Sequence, residues 1–182
     1  MELQARLSER TEKGWSWICL IQEPYVVRGN ECGLSSAASA KRIECKSADP
    51  TQFPHAIIYH HPKANITPCP QFTGRDVAVG IWQIGQPDLE NILLVSLFWS
   101  REAVELLRKC LDAVEWAAQN QIPVHVGGDL NAHSKLWGNA TDTARGFRME
   151  KLLFNYVLMC TKRARYLCWL GGKPARSSTS PL

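Results

Sequence analysis

The stretch NILLVSLFWSREAVELLRKCLDAVEWAAQNQIPVHVGGDLNAH, residues 91–133, decides the fold class. It opens on a run of Val, Leu, Ile and aromatic residues (91–99) that reads as a buried strand. The period then changes. Ser100 is placed to cap a helix, and Glu102 in the first turn meets the positive end of its dipole. Ala103, Leu106, Leu107, Cys110, Leu111, Val114, Ala117 and Ala118 recur at spacings of three and four, which predicts one apolar face over 101–120. Pro123 ends the connection, and PVHVGG is a short strand running into a loop at Gly127-Gly128. Outward from this core, 15–21 (WSWICLI), 55–60 (HAIIYH) and 76–84 (DVAVGIWQI) read as further strands. A second helix is predicted over 144–156, with Phe147, Leu152 and Leu153 inward, and YLCWL (166–170) as a last strand. Residues 28–52, with Gly, Ser, Ala and Asp-Pro, read as a long surface loop. Strands joined sometimes directly and sometimes through helices predict a layered α/β domain with mixed sheets.

Composition agrees. The chain has 182 residues, 45% apolar and 21% charged, enough for one domain with a real core and unlike a disordered, collagen-like or coiled-coil protein. No run approaches the ~18 apolar residues of a membrane span, and the polar start MELQARLSERTEKG lacks the centre of a secretory signal, so an intracellular, soluble protein is expected. Seven cysteines, none in a Cys-x-x-Cys pair, fit reduced thiols better than a zinc site. The charge is uneven. After Glu150 there is no acidic residue, while Lys151, Lys162, Arg163, Arg165, Lys173 and Arg176 contribute +6 against a total of +4, leaving −2 for the first 150 residues. Such a basic end suits phosphates as well as water. Residues 1–170 are expected to form one domain and 171–182 (GGKPARSSTSPL) a flexible basic tail.

Two places put acids where a buried strand ends, which is where open α/β sheets build their sites. In Ile21-Gln22-Glu23-Pro24-Tyr25, Glu23 follows an apolar strand and precedes a proline that forces an extended exit. A rim carboxylate of this kind holds a hard divalent cation or is simply solvated. In Val126-Gly127-Gly128-Asp129-Leu130-Asn131-Ala132-His133, a strand delivers Asp, Asn and His within five positions, and an extended course would turn all three to one side. Asp129 there can take a proton from water attacking phosphorus, and the Asn131 amide can steady developing charge. The same residues also suit an Asp/Asn turn closed by local backbone hydrogen bonds.

Together, ICLIQEPYV and GGDLNAHSKLWGNATDTARGFRMEKLL resemble the endonuclease/exonuclease/phosphatase superfamily, whose hallmarks include a Q-E strand end and a later G-D-x-N. The fuller string is similar to one branch, the apurinic-type endonuclease domain that non-LTR retrotransposons carry ahead of their reverse transcriptase. The resemblance covers residues 2–160. It implies a four-layered α/β sandwich and Mg²⁺- (or Mn²⁺-) dependent cleavage of DNA phosphodiesters, in the nucleus if genomic DNA is the substrate. By that resemblance Glu23 matches the metal-binding carboxylate, Asp129 the acid that activates water, and Asn131 the amide beside the scissile phosphate. His133, Trp137 and Arg145-Gly146 also match the branch. His133 and Arg145 are thereby candidates for substrate contact, whereas Trp137 reads as packing.

The departures point the other way. The chain starts inside what the family pattern makes its first helix, after the strand carrying an active-site Asn. Phe98 stands nearest to the family's Tyr, Ser177-Ser178 are not followed by the expected Asp, and no closing Ser-Asp-His is present. The resemblance therefore implies an incomplete sandwich with weak or no turnover. Its rivals are a catalytically dead remnant that binds nucleic acid through its basic C-terminal segment, and a lipid phosphodiesterase on the same scaffold.

Overall fold

The computed structural model describes residues 2–24, 26–27, 30–31, 40–45, 53–86, 89–100, 106–155, 158–161 and 166–169. Three helices are present among them: α1 (Glu2–Glu12), α2 (Leu106–Gln119) and α3 (Ala144–Asn155). The strands are β1 (Ile18–Gln22), β2 (Val26–Val27), β3 (Asn30–Glu31), β4 (Lys41–Ile43), β5 (Ala56–His60), β6 (Ile66–Pro68), β7 (Val77–Gln86), β8 (Leu89–Phe98), β9 (Val124–Asp129), β10 (Leu158–Thr161) and β11 (Tyr166–Trp169). A small sheet runs β1-β5-β4, and a large one runs β10-β11-β9-β8-β7-β6. Only β8 and β9 pair in parallel in the large sheet, and they are the two strands flanking α2. A crossover helix is what a parallel neighbour requires.

Side-chain alternation sets the layers, because successive residues of a strand face opposite sides. From β5, Ile57 and Tyr59 pack with Leu7 of α1 and with Trp17, while Ile58 points the other way, onto Ile43, Ala78 and Leu94. On the far side of the large sheet, Val79, Leu93, Val95, Leu97, Val124 and Val126 meet Cys110, Ala113, Val114 and Ala117 of α2 and Met149, Leu152 and Leu153 of α3. The order is helix, sheet, sheet, helix. This is an α/β sandwich of the endonuclease/exonuclease/phosphatase type, as the resemblance implied. Each fully buried Val, Leu or Ile contributes about 2 kcal/mol, so the layer between the large sheet and its two helices outweighs any single polar contact. Burial pushes the Cys110 thiol up to about 12, and Cys19, Cys45, Cys69 and Cys110 are all free thiols.

Some elements differ from the sequence expectation. β1 begins at Ile18; Trp15, 57% exposed, lies outside it under the Arg10 guanidinium. β3 and β4 fall inside the segment expected to be loop. β4 buries only Ile43 against one neighbour, so Lys41 and Arg42 hide the strand from a search for apolar runs. β6, another edge strand, carries Pro68, and β10 follows α3 directly. Phe147 does not point inward. The buried face of α3 is Gly146, Met149, Leu152 and Leu153, and Phe147 projects away from it, 56% exposed. The predicted start of the long helix over 101–105 and the basic tail 171–182 lie outside the described residues. No helix among the described residues is long and apolar enough to cross a membrane.

Candidate active site

Gln22 is the last residue of β1, and its side chain spans the gap between the sheets. Its Nε2 donates to Ser96 Oγ (3.0 Å) and to the Gly127 carbonyl (3.3 Å). Ser96 Oγ donates in turn to the Ile21 carbonyl at 3.2 Å. The end of the small sheet is thereby pinned to β8 and β9. Glu23 comes next, exposed, with its N–H on the His55 carbonyl at 2.8 Å and φ at +47°. A left-handed backbone costs a residue with a side chain about 1–2 kcal/mol, and such positions concentrate at functional sites.

β9 ends at Asp129, which pairs with Phe98 across the parallel ladder. Because Ser96 faces the small sheet, so do Phe98 and Asp129, two residues further along their strands. The strands approach so closely here that a Cβ on Gly128 would sit 2.0 Å from the Leu97 carbonyl oxygen; only glycine fits. Asp129 is half-buried. Its carbonyl accepts from Trp99 N–H (2.8 Å), and its Oδ1 accepts from Asn131 N–H (3.1 Å). The Asp/Asn turn is therefore real, and it uses one carboxylate oxygen. Asn131 also has a positive φ, +46°, and its amide donates to the Trp99 carbonyl at 3.2 Å. Extended alternation stops at Asp129, so it does not align Asn131 and His133 as the sequence suggested.

Arg145 lies over the Trp99 ring, 4.7 Å from its centroid, and donates to the carbonyls of Trp99 (3.1 Å) and Ser100 (2.7 Å). It sits at the rim, but these bonds make it a clamp on the end of β8. His133 is exposed on the loop beyond; its N–H donates to Thr143 Oγ1 at 3.1 Å, and its carbonyl accepts from Thr143 N–H at 2.9 Å. Gly146 packs on that carbonyl, where a Cβ would come within 2.0 Å. Trp137 donates to the Ala132 carbonyl at 3.0 Å and packs on the core beneath α2 and α3.

Sequence reasoning missed one pair. His55 Nδ1 and Asp76 Oδ1 are 2.5 Å apart, and the Asp76 carbonyl accepts from Phe98 N–H at 2.9 Å. The His55 ring meets Phe98 edge-on, 5.3 Å between centroids. Each residue just precedes a buried strand, β5 or β7. Since those strands belong to different sheets, nothing in their spacing announces the pair.

Among the described residues, no three His, Cys, Asp or Glu side chains form a cluster that would hold a metal. The donor set at this rim is nonetheless oxygen-rich: the Glu23 and Asp129 carboxylates and the Asn131 amide. Such a set fits a hard cation that keeps several waters and completes its shell with substrate phosphate, rather than a closed protein cage.

No family model matches the chain, and no curated protein matches it. Solved structures do. The endonuclease domain of TRAS1, a telomere-specific non-LTR retrotransposon, superposes with a TM-score of 0.60 at 25% sequence identity, over 86% of this chain. The chain is similar to a retrotransposon endonuclease domain. It spans 65% of the length of that solved structure. The likeness supports the same α/β sandwich and a nuclease-like architecture, and it agrees with the family resemblance carried by the QEPY and GGDLN segments.

Proposed function

We propose that this chain is a DNA endonuclease domain of the non-LTR retrotransposon type, dependent on Mg²⁺ or Mn²⁺ and weak in turnover. The observation that carries the reading is the Gln22 bridge to Ser96 and Gly127, which brings the strand end bearing Glu23 next to the strand end bearing Asp129. Glu23 supplies the main carboxylate for the cation, and Asp129 on the neighbouring strand end would share the same ion. A bound divalent ion would offset negative charge on the phosphate as it is attacked. Asp129 takes the proton of the attacking water as the water oxygen bonds to phosphorus and one ester P–O bond breaks, the leaving oxygen then gaining a proton. The Asn131 amide steadies a non-bridging oxygen and the exposed His133 reaches a flanking phosphate, while Arg145, a substrate-contact candidate by resemblance, holds the end of β8 in place through its bonds to Trp99 and Ser100. Genomic DNA as substrate places the work in the nucleus.

Incubation with supercoiled plasmid and Mg²⁺ tests this. Nicking is expected from the wild-type chain and a loss of about a hundredfold or more from Asp129→Ala; equal nicking by both overturns the assignment. A second reading has its own support in the acid-free, +6 segment after Glu150: a remnant that holds nucleic acid without cutting it. Retention on DNA that disappears at raised salt, with no nicking, selects that reading.

A further inference from the structure

The His55–Asp76 pair is a side-chain contact added where backbone bonds already join the ends of β5 and β7. The ends of β5 and β7 are tied by His55 N–H to the Arg75 carbonyl (2.7 Å) and Ala56 N–H to the same carbonyl (3.3 Å). The side-chain pair lies beyond those bonds, with His55 31% and Asp76 20% exposed. Its surroundings are the rim itself. The His55 carbonyl receives the Glu23 N–H, and the ring rests on Phe98, the ladder partner of Asp129.

We propose that His55, oriented by Asp76, is a phosphate-binding residue of this rim, donating Nε2–H to a backbone phosphate of the bound nucleic acid. Asp76 accepts from Nδ1–H, so the ring that also gives Nε2–H to the phosphate carries a proton on both nitrogens in the complex. The edge contact with Phe98 fixes the ring plane, so the direction of Nε2 is set before substrate arrives. A carboxylate that fixes one ring nitrogen to orient the other is a recurrent arrangement at sites handling anions and protons. The ligand is a phosphodiester anion, and a hydrogen bond to such an oxygen is charge-assisted. Asp76 is a positioning residue; His55 touches the substrate. This inference rests on the proposed nucleic-acid reading and assigns a residue that neither the QEPY nor the GGDLN segment contains.

The test uses the full chain in EDTA, so that no strand is cut, with a short DNA duplex and a duplex of the same sequence in which methylphosphonates replace the phosphates of one strand. With only five histidines in the chain, the ring nitrogens are assignable by ¹⁵N NMR. Natural DNA should shift His55 Nε2 and the methylphosphonate duplex should not. By fluorescence anisotropy, His55→Ala and Asp76→Asn should each weaken natural DNA binding about tenfold, with the double variant no worse than either. His55→Gln, which keeps a side-chain donor, should recover most of the loss, whereas a purely architectural residue would give variants that melt earlier yet bind equally. DNA that moves the Asp129 and Asn131 amides while leaving His55 unmoved and His55→Ala affinity unchanged overturns this inference alone. Absence of DNA binding by the wild-type chain overturns the nucleic-acid reading beneath it.

Discussion

The two turns that follow β1 and β9 are built in opposite ways. The Asp129–Asn131 turn is locked: Oδ1 on a backbone N–H, an amide on the Trp99 carbonyl, and Arg145 clamped over the same strand end. Among the described residues, the Glu23 turn is held by one backbone hydrogen bond, to His55, with an exposed side chain and a strained φ. Both leave regular strands through a left-handed residue, but asparagine tolerates that conformation far better than glutamate. Under the proposed function, this difference is a division of labour. A base must be aimed before substrate arrives, whereas a carboxylate that recruits a hydrated cation gains from being reachable by water.

The contrast breaks most severely at the strand junction beneath the locked turn. Gly128→Ala forces a Cβ against the Leu97 carbonyl, so thermal unfolding should show a loss of about 3 kcal/mol or more, and with it the turn. Arg145→Ala comes next. It removes two bonds to carbonyls and a cation–π contact, and should cost about 2 kcal/mol. Hydrogen exchange should accelerate at Trp99 and Asn131 while leaving the Glu23 N–H protected as before. Acceleration at both turns equally would mean that they are one unit.

Glycine substitutions sharpen the comparison at smaller scale. Glu23→Gly relieves an unfavourable φ with no side-chain bond lost, and should stabilise the chain by up to about 1 kcal/mol while removing nicking. Asn131→Gly loses the bond to Trp99 and gains little from the backbone, so it should destabilise by about 1 kcal/mol in denaturant titration. The smallest effect concerns the strands behind the turns. Burial lowers His60 on β5, with the Lys41 charge adding to it, and burial lowers His125 on β9. Each folded ring binds a proton less readily than its unfolded counterpart at 6.5. Their contribution is full above that pH and lost as pH falls below it, so urea midpoints should decline from pH 7 towards 5, less steeply in His125→Gln.

Much of this was legible in residues 91–133, because a fully buried strand, a one-faced helix and a strand ending in Gly-Gly-Asp each carry their own period. The edge strands β4 and β6 were not, since an edge strand buries one side at most and needs no apolar run. Phe147 was misplaced because a helix face is fixed by what packs on it, and Gly146, by meeting the His133 carbonyl, turns Phe147 outward. At the rim, Asp129, Asn131 and Glu23 were singled out by residue type and strand ends. Their partners were beyond reach: Gln22 to Gly127 and His55 to Asp76 join separate strands, and no local pattern records which strands will meet.

Isothermal titration with Mn²⁺ addresses the shared-cation account most directly, comparing the wild-type chain with Glu23→Gln and Asp129→Asn. One site is expected in the wild type. Each substitution should weaken it about tenfold or more, and the double variant should bind no worse than the weaker single one. Binding that neither substitution changes, or that each reduces independently at a separate site, would contradict a single ion shared by the two strand ends.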